Sequence, residues 1–154
     1  MSQTALLSDQ IRRAFEGEAW HGDPLAKILR GITAARAAAR PIKNAHSIWE
    51  LVLHVTAWDD VVRRRLNGAA VRLSGKQNFP PVKDTSEGAW RKAVENLKQV
   101  HSELVKAVAA FPDSRLQDQV PGKAQKYHDF YYMISGIVQH ELYHAGQIAI
   151  LKKA

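Results

Sequence analysis

The sequence predicts an all-α fold, a four-helix bundle with a short extra helical connector. Four long segments repeat apolar residues every three or four positions, which is the period of an amphipathic helix. Helix caps, prolines and glycines bound these segments. No strand-like alternation of apolar and polar residues extends beyond a few positions. Helices that each carry one apolar stripe bury those stripes most simply by packing as a bundle.

Length and composition limit the class of protein. The 154 residues are predicted to form a single domain over 1–154, with 45% hydrophobic and 24% charged residues. No apolar run approaches membrane-spanning length, and the N-terminus lacks the features of a signal peptide. There is no cysteine for a disulfide, so we expect a cytoplasmic protein. The basic residues behind the net charge of +7 are dispersed among acids, so a nucleic-acid partner is not expected.

The first helix is predicted over about residues 4–19, where apolar positions recur at helical spacing. Asp23 is a good N-cap for a second, short helix over about 24–30. Thr33 can cap a further turn through an alanine-rich stretch that Pro41 closes. Residues 24–40 are therefore predicted to form a helical connector.

The second long helix is predicted to begin at a capping box formed by Ser47 and Glu50 and to end at Asn67 and Gly68. Asp59 and its neighbour, the aspartate at position 60, are expected to face solvent or to pair with the arginines that follow.

The remaining chain is predicted to contain one long loop and two long helices. Residues 68–85 carry one internal glycine, two prolines and little periodicity, which predicts the loop. The third long helix begins at Thr85 or Ser86 and is ended by Pro112. The last helix begins near Asp129.

Two histidines in the last helix lie one turn apart on its buried face. His140 and His144 fall along an apolar stripe, where burial of two unpartnered imidazoles would be costly. Two neutral imidazoles at this spacing can share one divalent cation, so a metal site is the preferred interpretation over a pair of core histidines.

The string His140-Glu141-Leu142-Tyr143-His144 also fits the H-E-x-x-H pattern of zinc peptidases. In that interpretation Glu141 would be catalytic and activate a water. The ten residues after His144 contain no His, Asp or Glu, so a third ligand must come from upstream. Short matches arise easily on helices, and Glu141 is alternatively a residue beside the site or at the boundary of the core.

Two segments resemble signatures of the DinB/YfiT-like superfamily of metal-dependent enzymes. The segment H-S-I-W-E-L-V-L-H at 46–54 resembles its second-helix signature, and G-I-V-Q-H-E-L-Y-H-A-G-Q-I at 136–148 resembles that of its last helix. W-H-G-D-P-L at 20–25 resembles the entry sequence of one branch. The resemblance implies a four-helix bundle with an unusual crossover connection, and a metal triad of His54, His140 and His144. By position alone, a core or boundary residue is the preferred interpretation for His54.

The resemblance also implies a chemistry. Three histidines leave a coordination position open for water or substrate, and the leading metal is zinc, with nickel accepted by the same ligands. Similar proteins include bacillithiol transferases and a mycothiol-dependent maleylpyruvate isomerase. Because this chain has no cysteine, a thiol nucleophile must come from a small-molecule cosubstrate. We therefore expect a low-molecular-weight thiol S-transferase acting on small electrophiles; the alternatives are a metal-dependent hydrolase and a non-catalytic metal- or ligand-binding bundle.

Four aromatic or imidazole side chains are candidates for the pocket walls. Trp58 lies one turn from the candidate ligand on its helix, and Tyr143 precedes another candidate ligand. His101 and His21 are further candidates. Ordinary packing is an equal alternative for Trp58, and a core position is the preferred interpretation for His101.

The last helix also predicts a homodimer that uses helix faces away from the metal. Several of its apolar residues lie beside or behind the inward stripe and need cover from the connector or from a second copy: Tyr131, Tyr132, Val138, Leu142, Ala149 and Ile150. The resemblance implies the same assembly.

Overall fold

The chain forms seven α-helices and one short 3₁₀ helix over Asp113–Arg115. The computed structural model describes residues 1–154 and contains no β-strand. In chain order the helices are α1 (Gln3–Glu16), α2 (Leu25–Ile28), α3 (Ala34–Ala38), α4 (Ile48–Leu66), α5 (Gly75–Asn78), α6 (Glu87–Ala109) and α7 (Phe130–Leu151). Helix α4 packs against α6 and α7, and α1 packs against the same two helices. The prediction of an all-α four-helix bundle with a helical connector is confirmed.

The first helix is shorter than predicted. It ends at Glu16 rather than near residue 19, because the backbone becomes extended at the C-cap residue Gly17, and Glu18 then adopts a left-handed conformation with φ of 60°. The guanidinium of Arg13 donates a hydrogen bond to the carbonyl oxygen of Glu18 at 3.3 Å, which stabilises this reversal. The chain therefore turns before it enters the connector.

The connector differs from the prediction at its first cap. Pro24, not Asp23, occupies the N-cap position of α2, and the Asp23 carboxylate instead accepts a hydrogen bond from the Lys27 ammonium at 2.7 Å. The Thr33 hydroxyl caps α3 as predicted, by accepting from the Arg36 amide. Helix α2 packs against α1 and α7, while α3 packs against α4 and α6.

The long helices begin at the predicted caps. The capping box of Ser47 and Glu50 starts α4, the Ser86 hydroxyl caps α6, and the Asp129 carboxylate caps α7. Gly68 follows the end of α4 with a φ of 90°, a conformation that glycine adopts without steric cost. No helix of the structure combines the length and the apolar character needed to cross a membrane.

The predicted loop at 68–85 contains a short helix. The Ser74 hydroxyl accepts from the Gln77 amide, and the Gln77 side chain accepts from the Ser74 amide, so α5 has a complete capping box. One turn is too short to show an apolar period, which is why the sequence pattern did not reveal it.

The core is apolar at both ends and polar in the middle. One apolar cluster includes Val55, Leu97 and Ala145, and the other includes Val62, Leu104 and Ile137. Between these positions, each of the three helices contributes one buried ionisable residue to a polar layer, defined here as Asp59 on α4, His101 on α6 and Glu141 on α7. The polar layer therefore separates two apolar halves of the bundle.

Candidate metal centre

Three imidazoles from two helices converge where α4 packs against α7. The Nε2 atom of His140 lies 3.0 Å from that of His54 and 3.1 Å from that of His144. His54 and His144 are only 6% and 7% exposed, and His140 is half-buried. The structure thus brings together all three histidines that the sequence nominated as metal ligands.

Hydrogen bonds to the outer ring nitrogens of His54 and His144 fix which nitrogen of these two imidazoles faces the common point. The Nδ1 atom of His54 lies 2.7 Å from the carbonyl oxygen of Asn78, so it must be the protonated donor. The Nδ1 atom of His144 lies 2.6 Å from Oε1 of Gln147 and donates in the same way. The Nε2 atoms of both residues therefore present lone pairs to His140, the arrangement found in metal-ligating histidines.

The histidine cluster holds its imidazoles in the neutral form. Burial lowers the pKa of His54, His140 and His144, and for His140 the pKa falls to about 3. Neutral imidazole is the form that binds a metal ion.

The donor set fits a divalent cation better than it fits a hydrogen-bonded cluster. A single Nε2 proton on His140 cannot be directed squarely at two acceptors, the Nε2 atoms of His54 and His144. Nitrogens bound tetrahedrally to one zinc ion at about 2.0–2.1 Å lie roughly 3.3 Å apart. The two measured nitrogen separations, 3.0 and 3.1 Å, are close to that value.

Aromatic side chains enclose the centre. The ring of Phe79 stacks on His54 with centroids 4.1 Å apart, and the ring of Trp58 approaches His140 at 5.9 Å. The indole Nε1 of Trp58 donates to the side-chain oxygen of Asn78 at 2.8 Å, so Asn78 orients both Trp58 and a candidate ligand.

A cavity of ≈ 950 Å³ opens beside the centre and has His140, Trp58 and Tyr143 in its lining. Two of the four predicted pocket residues, Trp58 and Tyr143, therefore lie where a substrate could contact them. His21 does not line this cavity and is exposed on the turn after α1. His101 is also absent from the lining and is 1% exposed in the polar layer.

Glu141 and Asp59 lie elsewhere than the sequence suggested. The Glu141 carboxylate is 1% exposed and lies 2.8 Å from Nδ1 of His101, in the core rather than in the cavity. The expectation that Asp59 faces solvent or pairs with an arginine is wrong: it is 0% exposed and lies 3.3 Å from the same nitrogen. The polar layer is a second cluster of His and carboxylate donors whose types suit a metal ion, although its imidazole hydrogen-bonds the carboxylates.

Sequence reasoning missed three residues that position the centre. Gln147 could have been found, because it lies one turn after His144 on the same helix face. Asn78 and Phe79 lie at the end of α5 and precede two prolines, where no periodic signal marks them.

Comparison with known proteins gives one match. The sequence model of the DinB superfamily matches residues 19–148, from the turn after α1 to the last turn of α7. The matched segment contains all three histidines of the candidate centre. No curated protein and no solved structure matches the chain.

Proposed function

The chain belongs to the DinB superfamily, whose members are generally metal-dependent, and on that premise we propose that it is a metal-dependent enzyme with a three-histidine divalent-metal site. His54, His140 and His144 are the proposed ligands, with zinc as the leading metal and nickel as an acceptable one. Most concretely, the proposed activity is transfer of a low-molecular-weight thiol to a small electrophilic substrate.

One observation carries the metal proposal. Two Nε2 lone pairs, fixed by hydrogen bonds on the opposite side of each ring, point at the Nε2 of His140 from 3.0 and 3.1 Å. Lone pairs at that separation repel one another unless a proton or a cation lies between them. A neutral His140 can direct at most one Nε2 proton toward one of these two lone pairs. The lowered pKa of each of the three imidazoles argues against a further proton near neutral pH.

In the proposed reaction, the metal ion and the residues of the chain have different roles. When bound, a divalent ion supplies Lewis acidity that lowers the pKa of a coordinated thiol or water. The chain contributes the three ligands, the hydrogen bonds that orient them, and an aromatic wall that limits the access of water. In the transfer a carbon–sulfur bond forms, the leaving group departs with its electron pair, and the thiol proton passes to solvent. Since the chain has no cysteine, the sulfur belongs to the cosubstrate.

Metal analysis tests the proposed site directly. We expect purified protein loaded with zinc to retain about one ion per chain after desalting, and His140→Ala to retain far less, because two ligands cannot hold the ion as tightly as three. His21→Ala is the matched control, since His21 is exposed on a turn outside the cavity and should leave metal content unchanged. Equal retention by wild type and His140→Ala would exclude the histidine site.

Turnover assays separate the proposed activity from its alternatives. Metal-loaded protein should conjugate bacillithiol, mycothiol or glutathione to a chlorodinitrobenzene and release chloride. Turnover of simple esters or amides without a thiol would favour the hydrolase. Failure with both substrate sets, together with normal metal binding, would favour a non-catalytic metal-binding bundle.

A further inference from the structure

Three cationic side chains line the cavity system beside the metal centre. Arg65 and Lys123 line the ≈ 950 Å³ cavity that includes His140. The same two residues, with Arg72, line an adjoining cavity of ≈ 400 Å³, and Trp58 is part of both linings. The two cavities therefore meet at a cationic boundary, defined here as the basic cluster of Arg65, Arg72 and Lys123.

No anionic side chain of the protein neutralises the basic cluster. No carboxylate oxygen lies within 4.0 Å of any of its three cations. Arg65 donates to the carbonyl oxygen of Val71 at 2.7 and 3.2 Å, and Arg72 donates to that of Gly122 at 2.9 Å. The partners are thus neutral carbonyls.

The single acid in the larger cavity does not pair with the basic cluster. Asp129 accepts a hydrogen bond from the Tyr132 amide at 2.7 Å as the N-cap of α7, and its carboxylate lies more than 4.0 Å from each of the three cations. The basic cluster therefore has no ion-pair partner among the cavity residues.

Keeping these charges together is costly. Arg65 is only 3% exposed, and its guanidinium lies 5.8 Å from the centroid of the Trp58 ring. Burial first, and then the positive charge of Arg72, lower the pKa of Arg65. Burial, followed by the charges of Arg65 and Arg72, lowers the pKa of Lys123. An anion bound at this place would relieve both the repulsion and the desolvation.

The larger cavity offers apolar and aromatic surface next to the cations. Besides Trp58 and Tyr143 it is lined by Tyr131, Tyr132 and Met133, so a ligand with an aromatic or apolar body would find contacts there. Such a body would extend from the basic cluster toward His140, which lies in the same lining.

We propose that the substrate of this site is a small anion with an aromatic or apolar body, whose carboxylate or phosphate binds the basic cluster while its reactive end reaches His140. This inference rests on the proposed function, because it names the substrate class of the same site. Fork-shaped guanidinium groups are well suited to bind either anion in two-point contacts.

Calorimetric titration of metal-free protein tests the inference without depending on the metal. The probes are phenylacetate, 3-phenylpropionate and phenyl phosphate, each compared with a neutral amide or alcohol of the same body, at physiological ionic strength. We expect at least one anion to bind about tenfold or more tightly than its neutral counterpart. The proposal would be overturned if every anion bound with the same affinity as its neutral counterpart, or if none of the anions bound at millimolar concentration.

Two variants locate the binding. Arg72→Gln and Lys123→Gln should each weaken the preferred anion about tenfold and leave its neutral counterpart unaffected. Arg64→Gln is the matched control, since it removes the same charge from the residue next to Arg65 but lies outside both cavities. Unchanged affinity in both cavity variants would overturn the proposal. Failure of zinc retention would instead count against the metal site, so the two failures are distinguished by different measurements.

Discussion

At the scale of single residues, the polar layer is a closed set of ionisable groups without access to water. Nδ1 of His101 lies 2.8 Å from the Glu141 carboxylate and 3.3 Å from that of Asp59, and all three side chains are at most 1% exposed. Burial works against the His101 charge, but its bonds to Asp59 and Glu141 outweigh burial and raise its pKa to about 10. Burial and the neighbouring Asp59 charge raise the pKa of Glu141 to about 8. With the pKa of His101 near 10 and that of Glu141 near 8, a charged imidazole, one charged carboxylate and one protonated carboxyl leave the polar layer electrically neutral near pH 7.

The first prediction concerns the imidazole of the polar layer. His101→Gln should lower the free energy of unfolding at pH 7 by about 3–5 kcal/mol, because it leaves buried carboxylates without their cation. Because the pKa of His101 is raised on folding from 6.5 to about 10, its stabilisation is fully present below pH 6.5 and is lost as the pH rises through about 10. The difference in the free energy of unfolding between wild type and His101→Gln should therefore shrink as the pH rises from 6.5 to about 10, as measured by urea unfolding of metal-free protein.

His21→Gln supplies the control for this measurement, because His21 is exposed and contacts none of the polar layer. A difference between wild type and His101→Gln that stays constant from pH 6.5 to about 10 would contradict a charged His101.

The sequence predicted the candidate metal ligands better than it predicted the residues of the polar layer. His140 and His144 could be paired from spacing alone because both lie on one helix, whereas His54 was assigned only through the family resemblance. Asp59 was misplaced because its partner His101 is 42 residues away, and helical periodicity cannot show which distant side chain will meet an acid at the edge of a stripe.

At the scale of elements, the one-turn helix α5 links the loop to the metal centre. Its last residue, Asn78, accepts a hydrogen bond from His54 through its backbone and another from Trp58 through its side chain. The capping box of Ser74 and Gln77 is therefore placed to hold the oxygen atoms that orient both side chains.

The second prediction tests this link. Ser74→Ala removes the hydroxyl that caps α5 and should weaken zinc affinity by about tenfold, since loss of groups that orient metal ligands commonly costs 10–100-fold. The free energy of unfolding should fall by only about 1 kcal/mol. Competition with a chromophoric chelator measures the first quantity, and urea unfolding measures the second.

Ser86→Ala is the matched control. The Ser86 hydroxyl caps α6 in the same way, by accepting a hydrogen bond from the Ala89 amide, but Ser86 lies outside the metal centre. It should lower stability by a similar amount and leave zinc affinity unchanged. Equal zinc affinity in wild type and both variants would show that α5 does not orient His54.

Helix starts were predictable because their signals are local. The caps Thr33, Ser47, Ser86 and Asp129 each lie within three residues of the amide they bind. The early end of α1 has a local signal as well, since the chain leaves the helix at Gly17, but the apolar residues that follow, Ala19 and Trp20, extend the helical period past it. Helix α5 was missed because a single turn carries no periodicity.

At the scale of the whole molecule, the exposed aromatic residues of α7 surround the cavity. Tyr131, Tyr132 and Tyr143 are 51%, 50% and 65% exposed, and all three are part of the cavity lining. Tyr131 and Tyr132 line the same cavity as His140, so of the apolar residues outside the inward stripe these two are the least suited to an interface that leaves the cavity open. A partner seated on these tyrosines would cover the cavity that the proposed substrate must enter.

The last prediction is the homodimer, with its interface at the other end of α7. Ile150 is 62% exposed and does not line the cavity, so it is available to pack on a second copy while the cavity stays open. Sedimentation at micromolar concentration should give twice the mass of the chain, and Ile150→Lys should shift it to the monomer because a buried charge at a two-fold interface is repeated on both copies. Tyr132→Lys places the same charge on an equally accessible residue of the cavity wall and should remain dimeric. A monomeric mass for the wild type would contradict the predicted dimer. Dissociation by Tyr132→Lys alone would show that the interface lies over the cavity, so that dimer formation would close the site.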